Sequence, residues 1–193
     1  MTDKDAIADR GRAIEDEYFY KKDQELIKKM KRAATAARTR EEIGKRTGLT
    51  DPDMLQELET LGFTPETVVL LPLVPVVQVA WAEGGVTPEE RRLVVELARA
   101  RGVERGGAAD RQLSDWLDRR PAQEVFAHAA RLIRALLATP EHGDLTVDDI
   151  VQQCEAVADA SGGLLNLNLI GRVSAEEREI LRTLVAQLKG RAG

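Results

Sequence analysis

Four carboxylates occupy the positions best suited to chemistry. Glu83 and Glu90 lie seven residues apart across Gly84-Gly85, and Asp159 and Glu177 flank Gly162-Gly163. Brought together, their oxygens would suit a hard divalent cation, Ca²⁺ or Mg²⁺, the former taking about 6–8 oxygen ligands. The same spacing has a second physical meaning. Thr87-Pro88-Glu89-Glu90 and Ser174-Ala175-Glu176-Glu177 both satisfy the capping box. There a hydroxyl accepts from the third helical amide, and the glutamate accepts from the amide of the cap residue itself. The Glu83 turn lacks the alternating Asp and Asn ligands of an EF-hand loop. Capping without a metal is the favoured reading, and a cation held by Glu83, Glu90, Asp159 and Glu177 is the sharper one.

Other reactive side chains are sparse. His128 lies in a stretch rich in Ala and Leu, and His142 in the Pro140-Glu141-His142-Gly143 turn, without metal-ligand spacing between them. The one cysteine, Cys154, recurs at helical spacing with Ile150, Val151, Val157 and Ala158, the pattern of a packed thiol. Gly106-Gly107 is not followed by the Lys-Ser/Thr of a phosphate loop. Trp81 and Trp116 fall in apolar rows and read as packing residues rather than ligand-stacking ones. No catalytic residue is assigned and the chain is read as non-enzymatic. The alternative is a metal-dependent hydrolase whose carboxylates hold a water-activating ion, though no histidine lies near the turns to assist.

The elements that must position these residues are all helical. Hydrophobic residues make up 43% and charged ones 32% of 193 residues, with aromatics at 4%, so Leu, Val, Ile and Ala must fill the core. Phe19, Leu26, Met30, Ala33 and Ala37 follow one another at 7, 4, 3 and 4, a helical stripe within a charged helix over about 3–37. Thr39 is expected to cap a short helix to about Arg46, and Asp51-Pro52 another to about Leu61. Thr64-Pro65 should begin a helix that Pro72 and Pro75 kink or restart before Gly84-Gly85. Further helices are predicted over about 88–101, 108–119, from Pro121 to Leu137, 147–160 and 175–189. The alternating Leu165-Asn166-Leu167-Asn168-Leu169 is too isolated to make a sheet. The expected fold is all-α, with a charged N-terminal arm and helical hairpin over 1–62 and a bundle over 63–193.

An internal repeat runs through the bundle. Val79-Ala80-Trp81-Ala82-Glu83-Gly84-Gly85 aligns with Val157-Ala158-Asp159-Ala160-Ser161-Gly162-Gly163, and Val86-Thr87-Pro88-Glu89-Glu90-Arg91 with Val173-Ser174-Ala175-Glu176-Glu177-Arg178. The second copy carries nine extra residues, Leu164 to Arg172. Together with Pro72-Leu73-Val74-Pro75-Val76-Val77-Gln78 and the seven-residue step from Glu83 to Glu90, this repeat resembles the TerB-like tellurite-resistance family over about residues 64–189. The family's Asp at the first turn is Glu83 here, and Ser161 stands at the equivalent place in the second copy. The resemblance implies a helical bundle with an internal duplication, an acidic cluster holding a divalent cation, and a stress-related role.

Charge is unevenly distributed. Residues 21–46 hold ten basic and four acidic side chains, a net of +6, leaving −11 for the rest of a chain whose formal net charge is −5. Tyr18, Phe19 and Tyr20 adjoin this basic face, with Lys28, Lys29 and Arg32 upon it. Those six residues are the expected contact surface for a protein partner or a second copy, with an anionic membrane surface as an alternative. Insertion into a larger complex as a regulatory subunit is a further alternative. Residues 39–61 suggest a helix-turn-helix. The helix that would enter the groove carries Asp51, Asp53, Glu57 and Glu59 without a base, so nucleic acid is not an expected partner. The charged first twenty residues and the lone cysteine point to the cytoplasm.

Overall fold

Helix is the sole regular backbone state among the described residues. A computed structural model describes residues 3–161 and 174–190, with side chains for 20–160 and 174–190. The described residues form eight α-helices: α1 (Asp3–Thr47), α2 (Pro52–Thr60), α3 (Val74–Ala80), α4 (Pro88–Ala100), α5 (Ala108–Asp118), α6 (Gln123–Leu137), α7 (Val147–Ser161) and α8 (Ala175–Leu188). The all-α expectation holds. Two compact units divide the chain, 1–39 and 40–193.

That division differs from the expected break near residue 62, and the core explains why. Ile43, Leu49, Leu58 and Phe63 are all buried in the larger unit. Arg40 pairs with Glu59 at 2.6 Å, tying the last turns of α1 to α2. Nor does Thr39 begin a new helix: α1 is a single element through Gly11 and Thr39 to Thr47. Residues 31–46 contain no proline and many Ala, Arg, Lys and Glu, which favour helix strongly enough to override a local cap signal. The stop comes at Gly48, whose φ of 69° is natural only for a residue without a Cβ.

The two prolines are accommodated without a kinked α-helix. Val68–Leu73 is a 3₁₀ segment containing Pro72, and α3 starts afresh at Val74 with Pro75 in its first turn. At that position the missing amide has no intrahelical acceptor to lose. In α3 every residue but Gln78 is buried. The helix packs most extensively on α7, and also on α6, α8 and α4. Outside it, α4 packs on α7, and α8 on both α6 and α7. Cys154 lies on the core face of α7 with Ile150, Val157 and Ala158. Burial pushes its thiol pKa up to about 12.

Both tryptophans belong to the larger unit. Trp81 donates its indole N–H to the Trp116 carbonyl at 2.8 Å, and Trp116 meets Phe63 edge-on with ring centroids 5.8 Å apart. This joins the end of α3 to α5 and to the chain after α2. The packing-residue expectation for both fits this arrangement.

The core determines how truncation, substitution and thiol labelling should turn out. A chain starting at Arg40 should keep a cooperative melt by circular dichroism, whereas one starting at Phe63 loses Ile43, Leu49 and Leu58 and should be severely destabilised. Replacing Ile43 alone by Ala should cost about 2–5 kcal/mol. In addition, Cys154 should resist thiol reagents at neutral pH in the folded protein and react freely once denaturant unfolds it. Prompt labelling of the native state would contradict its burial.

Candidate functional site

Both sequence-predicted capping boxes are formed. Glu90 accepts from the Thr87 amide at 2.7 Å while the Thr87 hydroxyl accepts from the Glu90 amide at 3.2 Å. In α8, Glu177 accepts from the Ser174 amide at 2.6 Å and the Ser174 hydroxyl accepts from the Glu177 amide at 3.1 Å. These caps are unusual in being sealed from water: Glu90 is 2% exposed and Glu177 0%. Removing a carboxylate from water is costly unless its oxygens are hydrogen-bonded, as these are.

Their burial brings the two copies into electrostatic contact. Desolvation raises the Glu90 pKa above its usual 4.5; the Thr87 hydrogen bonds oppose this, and the charges of Glu177 and Glu83 add to it. Glu83 itself is exposed on the turn, beside Gly84 at φ 84°. Asp159 is exposed on α7. Among the described residues, no three His, Cys, Asp or Glu side chains are grouped to hold a metal ion. Of the four carboxylates proposed for Ca²⁺ or Mg²⁺, Glu90 and Glu177 therefore have a demonstrated structural task as caps. Gly162, Gly163 and the inserted Leu164 to Arg172 lie outside the described residues.

The second sequence-predicted surface lies on α1. Tyr20, Leu26 and Met30 are 65%, 56% and 64% exposed, and Ile27 is exposed beside them. Lys28, Lys29 and Arg32 are exposed on the same stretch. The side chains of Tyr18 and Phe19 lie outside the described residues. Leu26, Met30, Ala33 and Ala37 keep the 4, 3, 4 spacing that places them on one stripe of a continuous helix.

Two features had no local signature in the sequence. Glu57 of α2 pairs with both His128 and Arg131 of α6, closing a gap of 71 residues. Spacing along the chain cannot reveal such a pair, because its members lie on separate helices. Arg101, following α4, is half-buried, and burial lowers its pKa against the partly compensating charge of Asp149. His142, packed nearby, has its pKa lowered by burial, so its imidazole is neutral at pH 7.

Comparison with protein-family models, with curated proteins and with solved structures found no match.

The pH dependence of the Glu90 cap has a definite sign. Because its folded pKa lies above 4.5, the ionised form carries a cost that is absent below the unfolded value and complete once pH has risen past the folded one. Glu90→Gln keeps an acceptor for the Thr87 amide and removes the charge. In denaturant titrations its stability relative to the parent should rise between pH 4 and pH 7; a difference independent of pH would show that the charge carries no cost. Thr87→Ala and Ser174→Ala should each lose about 0.5–2 kcal/mol.

Proposed function

We propose that this chain acts by association rather than catalysis, presenting α1 to a helix of a protein partner or of a second copy. The observation that carries the reading is the exposed row Leu26, Met30, Ala33 and Ala37, flanked by Tyr20 and Ile27. Its 4, 3, 4 spacing is that of a coiled-coil seam, where each apolar side chain enters a gap on the facing helix. Fully burying a large apolar side chain is worth about 1.5–3 kcal/mol; Leu26 and Met30 are the large members of the seam, and Ala33 and Ala37 let a facing helix approach closely. Of the basic residues nearby, Lys29 lies beside the seam and favours an acidic partner helix, whereas Lys28, about 200° round the helix from Leu26, faces away from it.

The reading extends to kinship with TerB-like proteins and to a body built on a duplicated helix pair. Two features support that. The matched capping boxes both place a buried glutamate at the third helical position. The helices of the two copies also exchange partners, α3 packing on α8 and α4 on α7, with α3 and α7 against each other. A stress-related setting belongs to the same kinship. The reading assigns no role to Ca²⁺ or Mg²⁺, because capping already accounts for Glu90 and Glu177.

The test is sedimentation velocity on the full chain and on Leu26→Glu/Met30→Glu, with capture of partners by both. Self-association or a captured partner should be lost in the double variant while its melt in the 40–193 region is unchanged. Association that survives the two charges would sink the proposal. Binding to phosphatidylserine vesicles with no protein association would replace it with a membrane-surface role.

A further inference from the structure

We propose that the cleft beside Arg101 binds a small zwitterion with an apolar body, a free apolar amino acid. The cleft has a volume of about 300 Å³. It is floored by Val68, Val69 and Pro72 of the 3₁₀ segment, with Leu136 of α6 and Leu145 before α7. A volume near the lower bound of small-molecule pockets, about 300 Å³, holds one amino acid rather than a nucleotide or a peptide. None of these residues belongs to α1, so the inference stands whether or not the association reading does.

The charge at the cleft selects the ligand. Arg101 donates from Nη2 to the Gln153 side-chain oxygen at 2.8 Å, and its Nε is buried without a hydrogen-bond partner. The three arginines within α4 all face carboxylates: Arg91 pairs with Asp118, Arg92 with Glu96 and Arg99 with Asp110. Arg101 has no such ion pair among the described residues. Asp149 attracts it, but the Oδ2 of Asp149 is held by the Thr146 amide at 2.8 Å and hydroxyl at 2.6 Å. Half-buried and without a direct ion pair, the guanidinium is incompletely solvated, and a ligand carboxylate in the same cleft would add charge-assisted hydrogen bonds to it.

A plain anion fits less well, because Glu141 and Asp144 line the same cleft and are exposed. Neutral His142, also in the lining, offsets neither of them. One guanidinium and two carboxylates around an apolar floor complement a molecule carrying a carboxylate, an ammonium and an aliphatic or aromatic side chain. Polyanions such as nucleotides are disfavoured by the same two carboxylates.

Titration calorimetry with the full chain tests this, using L-phenylalanine, L-leucine, 3-phenylpropanoate and 2-phenylethylamine. The two amino acids should bind, with each single-charge analogue at least tenfold weaker. Arg101→Gln should weaken phenylalanine at least tenfold and leave 2-phenylethylamine unchanged. Glu141→Gln/Asp144→Asn should weaken phenylalanine without weakening 3-phenylpropanoate. Absence of binding by both amino acids would overturn the proposal, as would equal affinity for all four compounds. Should Arg101→Gln fail to fold by circular dichroism, the comparison of the four compounds on the parent chain decides alone.

Discussion

The larger unit depends on enclosing α3. A seven-residue helix of Val, Pro and Ala with the single polar Gln78 has almost no face to offer water, and alone it is far too short to persist. It exists because α4, α6, α7 and α8 all pack against it. Their own amphipathic stripes find in it a common apolar surface, so the peripheral helices and the central one each supply what the other lacks. The 3₁₀ segment before α3 serves the same end. It delivers Leu70, Leu71 and Leu73 to the interior while allowing two prolines within four residues of each other.

Burying α3 has an electrostatic consequence. Two of the helices that cover it, α4 and α8, begin with capping boxes, and both capping glutamates are out of water. A buried carboxylate is tolerated when its oxygens receive strong hydrogen bonds, and here backbone amides at helix N-termini supply them, aided by the positive end of the helix dipole. For Glu90, desolvation still outweighs those bonds, as the direction of its shift shows. The paired acids thus trade some solvation for fixing the entry angle of two helices against the centre.

Legibility of the sequence followed the range of the interaction. Helices α4 to α8 are readable within a few residues because caps, proline and glycine stops, and 3.6-residue stripes are local signals; Thr87 and Ser174 each sit where their hydroxyls predict. The continuity of α1 was not readable, since Thr39 looks like a cap unless the surrounding Ala-, Arg- and Glu-rich run is weighed against it. The boundary between the two compact units falls at 39/40 rather than near 62 for a related reason. Residues 40–62 are polar in composition, yet Ile43, Leu49 and Leu58 are few and large, and their burial depends on what folds over them. At the acidic turns, the four carboxylates were identifiable, and so was the capping role of two. Burial was not, because solvent exclusion is a property of the assembled helices. The Glu57 pairing with His128 and Arg131, and the half-buried guanidinium of Arg101 on Gln153, arise wholly from contacts distant along the chain.

The pairing of Trp81 with Trp116 has a spectroscopic corollary. The chain contains two tryptophans, and both lie in the larger unit, linked through an indole-to-carbonyl hydrogen bond. Tryptophan emission, excited at wavelengths that pass over Tyr18 and Tyr20, therefore reports on that unit alone, while far-ultraviolet ellipticity sums over every helix, residues 3–39 included. Emission and ellipticity recorded on one sample thus separate loss of the interior from fraying of the charged segment, with no dye or label introduced.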